Sequence, residues 1–454
     1  MPRYWMIILI GMLLVTISGA KPSEFGPEIP VCIADGNQGF PVSVTNGDSG
    51  YFVVWQDKRQ SSLDIYAQHI NSNGESLWNS GGISVCQNPG RQEYPLAVED
   101  GQGGIFVVWQ DMQSRDRYFH LQHLTAKGHR KWANSGVPLL KTSPMQVKAW
   151  LLRDKTGNLY LAWKEIFKTQ TRFFLNRINT ETGTLAWKKP IQISSTPRSN
   201  GDPKFIMDYP DQIILLYQIK GVEENSIYIQ KISPTGQRKW GPYGIKVADT
   251  LMDTSSLSAV PDGTGGVIVV WDNPTDYYYG VYAQRFNTDG MTLWGNNPIL
   301  AGTEQEGLFF PTATSDGQGG VLVLWNIIRP SQKECGLGIQ AINRDGSYKW
   351  NKKSIEAVNL KGDRITDSLL TPDGSGGAII VWSDDRRGNF DLYQQHISLT
   401  GKLIYPLNGS PLVIEASQQI YPNIMSRPNG TGLLYWWDFR RQQYDIFARI
   451  LNTD

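Results

Sequence analysis

The sequence predicts an all-β fold, an eight-bladed β-propeller with four antiparallel strands per blade, and three observations carry that expectation. An apolar strand ending in an aromatic recurs along the chain: its anchors Trp55, Trp109, Trp163, Tyr217, Trp271, Trp325, Trp382 and Trp436 stand 54 residues apart, apart from one step of 57. Each repeat holds four short strands separated by Gly-rich or polar turns, which at this period is the pattern of propeller blades. The last repeat stops after its third strand, whereas residues 28–32 match a fourth strand. An N-terminal strand is therefore expected to complete the last blade and close the ring without a lone sheet edge.

From the N-terminus, residues 1–20 read as a signal peptide. Arg3 supplies the positive charge, Trp5 to Ile17 is almost wholly apolar, and Ser18-Gly19-Ala20 offers small residues for cleavage before Lys21. The apolar run is shorter than the ~20 residues that span a bilayer. The mature chain is thus expected outside the cytoplasm, secreted, periplasmic or at the cell surface, with no membrane span left. Residues 21–454 form one domain, with blades at about 40–89, 93–142, 146–196, 202–250, 256–302, 310–360, 366–416, and 420–454 joined by 24–35.

The second repeat shows the elements in order. An inner strand runs Tyr94 to Val98, Asp100-Gly101-Gln102-Gly103-Gly104 turns the chain, and the anchor strand follows from Ile105 to Trp109. Glycines there supply positive φ. A polar loop from Gln110 leads to a third strand, Tyr118 to Leu124, and Trp132 introduces an outer strand near Val137 to Leu140.

Composition excludes several functions. Lys and Arg number 43 against 42 Asp and Glu, so no basic surplus marks nucleic acid or anionic lipid as a partner. Cys32 and Cys86 occupy the same place in successive repeats and Cys335 lies in a different loop type, which suggests buried free thiols rather than a disulfide framework. His69, His120, His123 and His396 lie on third strands without metal-ligand spacing, His123 being expected at the surface, and each Asp-Gly-x-Gly-Gly turn offers one carboxylate. Neither a metal nor a cofactor is expected, and no nucleophile elbow, P-loop or Cys-x-x-Cys is present.

Residues present in every blade are assigned to the scaffold, the tryptophan anchors first. Each buries roughly 150 to 250 Å². A second aromatic series, Trp78, Trp132, Trp187, Trp240, Trp294, Trp350 and Tyr405, follows a Gly-containing turn, as in Asn179-Thr180-Glu181-Thr182-Gly183-Thr184-Leu185-Ala186-Trp187. This spacing resembles the tryptophan-docking motif of pyrroloquinoline-quinone-type eight-bladed propellers, which implies indoles packed between neighbouring blades. The blades here are longer than that family's, and the adjacent Cys pair of its dehydrogenases is missing. The pattern Asp-Gly-x-Gly-Gly, Trp-x-Asp-x-Arg, Asp-Ile-Tyr-Ala-Gln is also similar to repeats of secreted bacterial propeller proteins. Both resemblances imply architecture and neither implies a ligand.

Two variable sets remain as candidate sites. Arg59, Arg386 and Arg440 of Trp-x-Asp-x-Arg occur where the next strand opens with Asp64, Asp391 and Asp445, and blades 2 to 5 lack both partners. This co-occurrence predicts a structural ion pair across each hairpin, and it leaves Arg329, expected to face Gly336, available for a ligand. The second set is Gln419, Gln38, Gln92, Gln146, Asn200 and Thr254, replaced by Leu308 and Ile365 in blades 6 and 7. It reads as an arc of amides at the channel mouth, where Tyr94, Phe40, Tyr421 and Tyr278 would stack on a sugar ring or apolar side chain. The sequence thus favours a monomeric, non-catalytic binding or scaffold module for a glycan or protein at the cell exterior. The alternative is a glycoside hydrolase or lyase using loop carboxylates from separate blades.

Overall fold

A computed structural model describes residues 25–452 except 48–49, 114–115, 143–147, 168–169, 194–199, 209–211, 221–224, 251–255, 276–277, 351–353 and 428. Residues 1–20, expected from sequence to be a signal peptide, lie outside the described residues. Eight antiparallel sheets follow one another along the chain, seven of four strands and one of five, each meandering outward from an inner strand. In the first blade the strands are Gln38–Thr45, Gly50–Asp57, Asp64–Asn71 and Ile83–Cys86. The five-stranded blade has two short pieces, Thr184–Leu185 and Ile191–Gln192, in the place of its outer strand.

The last blade joins both ends of the chain. Its strands Gln419–Ser426, Gly432–Asp438 and Asp445–Leu451 are completed by Ile29–Cys32, which pairs antiparallel with Asp445–Leu451 through Ile29 opposite Ala448 and Cys32 opposite Ile446. The ring of eight is therefore closed as the incomplete last repeat predicts.

Strand periodicity explains why the second strand of each blade is apolar throughout. Successive side chains point to opposite faces, and both faces meet another blade. Tyr51, Val53 and Trp55 pack with Leu433, Tyr435 and Ile446 of the last blade, while Phe52 and Val54 pack with Ile105, Val107 and Trp109 of the second. The core is thus eight inter-blade layers, and the anchors Trp55, Trp109, Trp163, Trp271, Trp325, Trp382 and Trp436 are all at most 2% exposed. Indoles of the second series reach the next blade: Trp78 Nε1 donates to Ala126 O at 3.1 Å, Trp294 to Arg344 O at 3.0 Å and Trp350 to Leu399 O at 3.0 Å.

At the turn end of the blades, the aspartate of Asp-Gly-x-Gly-Gly serves its own hairpin. Asp100 Oδ1 accepts from the Gln102 and Gly104 amides at 2.7 and 2.8 Å, and His123 Nε2 meets Asp100 Oδ2 at 2.7 Å. His123 is therefore an interior residue, its ring stacked on Phe106, and not a surface one. Arg285 and His396 meet Asp262 and Asp373 in the same way.

Removing residues 25–32 should abolish a cooperative thermal transition and give aggregates on size exclusion. Ile29, Val31 and Cys32 are almost fully buried, and losing them costs roughly 5 kcal/mol or more at about 1.5–3 kcal/mol per buried apolar side chain. That is comparable with a whole domain's margin. A truncated chain that melts like the full one would show that the strand is not needed for closure.

Candidate functional site

The site is built from the start of the inner strands. Gln38 lies opposite Asp57 and Lys58 N donates to Asn37 O at 3.0 Å, so the inter-blade loops and the loops after the anchor strands share one face of the ring. Two residues into the inner strand, the register slips at a β-bulge, between Gly39 and Val42, Glu93 and Leu96, Phe309 and Thr312, Thr366 and Leu369, and Ile420 and Asn423. Within each bulge one non-glycine residue is held at positive φ: Phe40 at 50°, Tyr94 at 55°, Phe310 at 55°, Asp367 at 51° and Tyr421 at 52°.

For bulky residues this conformation costs about 1–3 kcal/mol each and persists only where the surroundings enforce it. The consequence is that the side chain turns out of the blade: Phe40, Tyr94, Phe310 and Tyr421 are 50, 49, 54 and 54% exposed. Stepping by the repeat from Phe40 gives Tyr94, Lys148, Asp202, Ser256, Phe310, Asp367 and Tyr421, one residue per blade. An aromatic sector thus adjoins a charged one.

A second series holds these residues in place. In five blades the residue after the anchor reaches the start of the next blade's inner strand. Gln56 Oε1 accepts the Tyr94 amide at 2.8 Å, Asn326 Oδ1 accepts from Ser368 at 2.8 Å, Ser383 Oγ donates to Gln419 O at 3.0 Å, and Lys164 Nζ meets Asp202 at 3.2 Å. In the last blade this residue is Trp437. Its ring centroid lies 5.0 Å from Tyr421 and 5.5 Å from Phe40, and Phe40 in turn is 5.3 Å from Tyr94. Tyr421, Trp437, Phe40 and Tyr94 form a continuous aromatic track across three blades.

The track ends at a cleft of about 580 Å³ lined by Phe40, Tyr94, Leu96, Gln110, Arg117, Phe119, Lys148, Lys164, Ile166 and Asp202, among others. Asp202 bridges Lys148 at 2.6 Å and Lys164 at 3.2 Å. Burial alone would raise its carboxyl, but the two ammonium groups outweigh burial and hold it below the usual carboxylate range. Lys204, two residues on, is pushed down by burial and then by Lys148.

The residues singled out from sequence fall elsewhere in part. Tyr94 lines the cleft. Gln38, Gln92 and Gln419 do not: all three are fully buried. Gln38 Nε2 donates to Gly36 O at 2.7 Å and Gln419 Nε2 to Ser417 O at 2.8 Å. Gln92, in the amide orientation that satisfies its neighbours, donates to Asp64 at 3.0 Å. Gln38, Gln92 and Gln419 are therefore internal loop caps, because the strand start turns inward and only the bulge two residues later turns out. Leu308 is likewise a core residue, packed with Ile327. Gln146 lies outside the described residues, and Asn200 opens an inner strand opposite Gln218. Tyr278, half-buried, closes a hairpin through Thr275 Oγ1, which accepts from its amide at 3.1 Å, and does not line the cleft.

The arginine pairing also differs. Arg59, Arg386 and Arg440 bind Asp57, Asp384 and Asp438 of their own Trp-x-Asp-x-Arg, at 2.6, 2.6 and 2.7 Å, and not Asp64, Asp391 or Asp445. Residues two apart share a strand face, so the same aspartates accept the anchor indoles of Trp55, Trp382 and Trp436 at 2.7, 2.7 and 3.1 Å. The guanidinium carbons of Arg59 and Arg386 sit 3.9 and 3.8 Å above the rings of Tyr66 and Tyr393. Asp64, Asp391 and Asp445 stand directly opposite the first aspartate and are at most 2% exposed. Burial, then Asp57, pushes Asp64 up to about 6. Arg329 is not available either: it faces Glu334 rather than Gly336 and meets Glu304 and Glu356 at 2.7 Å each.

The three cysteines are unpaired, and burial pushes the Cys32 thiol up to about 12. Among the described residues no group of three or more His, Cys, Asp or Glu is placed to hold a metal ion, and no helix is long and apolar enough to cross a membrane.

No family model and no curated protein matches the chain. Solved structures do. A polysaccharide lyase described as an ulvan lyase aligns with a TM-score of 0.50 at 12% identity, over 83% of this chain and 97% of that one. The fucose-specific lectin from Aleuria aurantia gives 0.32 at 11%, over 71% and 96%, and an endo-1,5-alpha-L-arabinanase from Thermotoga petrophila RKU-1 gives 0.29 at 11%, over 91% and 98%. At such identity the first likeness shows a shared fold.

Two carboxylates should respond to pH with opposite signs. The folded-state pKa of Asp64, about 6, lies above its ordinary 3.8, so the ionised form destabilises the fold at high pH. Asp64→Asn is expected to raise Tm at pH 8 by roughly 2 °C or more, the gain shrinking below pH 6 and vanishing near pH 4. For Asp373, burial is outweighed by His396 and the turn amides, which hold the carboxyl well below its ordinary range. Its stabilisation is present above the unfolded value and lost in acid, so Asp373→Asn should lower Tm at pH 7 and converge with the parent as pH falls through the carboxylate range. Thermal melts across pH check both.

Proposed function

We propose that this chain is an exported propeller that binds a glycan across the loop-face mouth of its channel, as a monomer and without a cofactor. The observation that carries the reading is the aromatic track Tyr421, Trp437, Phe40 and Tyr94, three of whose members stand at positive φ and are half exposed. Strain maintained at exposed aromatics marks functional positions, and flat rings beside polar groups such as Gln110 suit the apolar face and hydroxyls of a sugar. A track crossing three blades is longer than one sugar, which favours a polymer.

A second reading is cleavage of the same polymer, in line with the polysaccharide lyase that shares the fold. Lys204, a solvent-exposed amine two residues from Asp202 whose ammonium form is disfavoured by partial desolvation and by Lys148, is the base such cleavage would use. The carboxylates of the charged loops do not serve that chemistry, since Asp57, Asp64, Asp384, Asp391, Asp438 and Asp445 are at most 2% exposed.

Glycan-array or affinity-electrophoresis measurements on the mature protein should find a polysaccharide ligand. Trp437→Ala and Tyr94→Gly should each weaken it about tenfold or more, a loss of about 1.4 kcal/mol. Because glycine relieves positive φ, Tyr94→Gly should keep or raise Tm while losing affinity. Binding unchanged in both variants would remove the track from the site. Unsaturated or reducing ends that accumulate with the parent and not with Lys204→Met would favour the enzyme.

A further inference from the structure

We propose that the glycan is acidic, a polymer bearing a carboxylate or sulfate ester on its sugar ring, and that this anionic group seats on Arg117 between Lys148 and Lys164 while the ring stacks on Tyr94. The proposal rests on the glycan reading above and names the ligand class of the same mouth.

Arg117 is the first observation. It is the second residue of the strand Asp116–Leu124, the third of the second blade, opposite Met112, and it lines the cleft with Tyr94. Among the described residues it is the one half-buried arginine whose guanidinium has no hydrogen-bond or ion-pair partner. Its counterparts are all satisfied: Arg59 by Asp57, Arg153 by Glu99, Arg329 by Glu304, Arg386 by Asp384 and Arg440 by Asp438. A partly desolvated guanidinium without an acceptor is costly, and its planar fork matches a carboxylate or sulfate in two-point geometry.

The ring of mouth positions gives the second, independent observation. After Phe40 and Tyr94 it continues with Lys148 and Asp202, and Lys164 stands in the supporting series. Three cations therefore line the cleft with one carboxylate, Asp202, which Lys148 and Lys164 already share. The whole chain is nearly neutral, with a formal charge of +1, so this local excess belongs to the cleft and not to a generally basic surface. The same cleft is lined by Phe40 and Tyr94, so the charged groups and the end of the aromatic track share one cavity.

The test uses the full mature protein and matched polymers: polygalacturonate with its carboxyl-reduced neutral form, and chondroitin sulfate with its desulfated form, within a panel of neutral polysaccharides. Calorimetry should find the acidic member of at least one pair bound about tenfold or more tighter, and the pair that shows this separates carboxylate from sulfate. The preference should shrink as salt rises from about 50 to about 300 mM. Arg117→Met should cut affinity for the acidic polymer about tenfold, leave neutral polymers within about twofold, and leave Tm unchanged or slightly raised, since the guanidinium supports no other residue. Equal binding within each pair, binding of neutral polymers alone, or a preference that survives Arg117→Met would overturn the proposal while the glycan reading stands. No binding to any polysaccharide would sink both.

Discussion

A blade of this protein is a sheet with two apolar faces, and neither face can be buried by the blade itself. Everything else follows from that constraint. Tyr51, Val53 and Trp55 need the last blade, while Phe52 and Val54 need the second. The order of dependence runs around the molecule and returns to its start, which is why the strand at Ile29–Cys32 had to come from the other end of the chain. Polar groups inside such layers must be satisfied within them, and the aspartate of Trp-x-Asp-x-Arg does this for an indole and a guanidinium at once.

The scaffold demands the same residues of each repeat, so chemistry collects where the repeats are released from that demand. The bulge on the inner strand is such a place. It interrupts the ladder, lets one side chain leave the blade, and the eight corresponding positions then differ: aromatic at Phe40, Tyr94, Phe310 and Tyr421, charged at Lys148, Asp202 and Asp367, small at Ser256. The cleft lies where these sectors meet.

Architecture was legible in the sequence because it is written eight times, and a pattern repeated at a fixed period fixes strands, turns and ring closure together. The site was legible only where a residue's chemistry and its direction agree, as at Tyr94. At Gln38, Gln92 and Gln419 the chemistry suggested a ligand, but direction is decided by a bulge that no residue type announces, and the amides point inward. Co-occurrence of Arg59 and Asp64 signalled that they belong to one unit without saying which carboxylate the arginine touches, since Asp57 and Asp64 stand side by side on the same face. Lys148, Asp202 and Arg117 drew no notice because their side chains resemble ordinary solvated charges. The signal that finds two of them is positional, Lys148 one repeat and Asp202 two repeats on from Tyr94.

The supporting series has a direction. Gln56 reaches forward to Tyr94, Asn326 to Ser368, Ser383 to Gln419 and Lys164 to Asp202, always from one blade to the following one. Such a ring has a direction in its contacts as well as in its backbone, although Trp437 touches Tyr421 of its own blade as well as Phe40 of the next. A repeat exchanged for another would therefore bring a seam on each side, its mouth residue against the prop before it and its own prop against the mouth residue after it, besides its two apolar faces. A binding surface assembled in this manner can be revised one sector at a time.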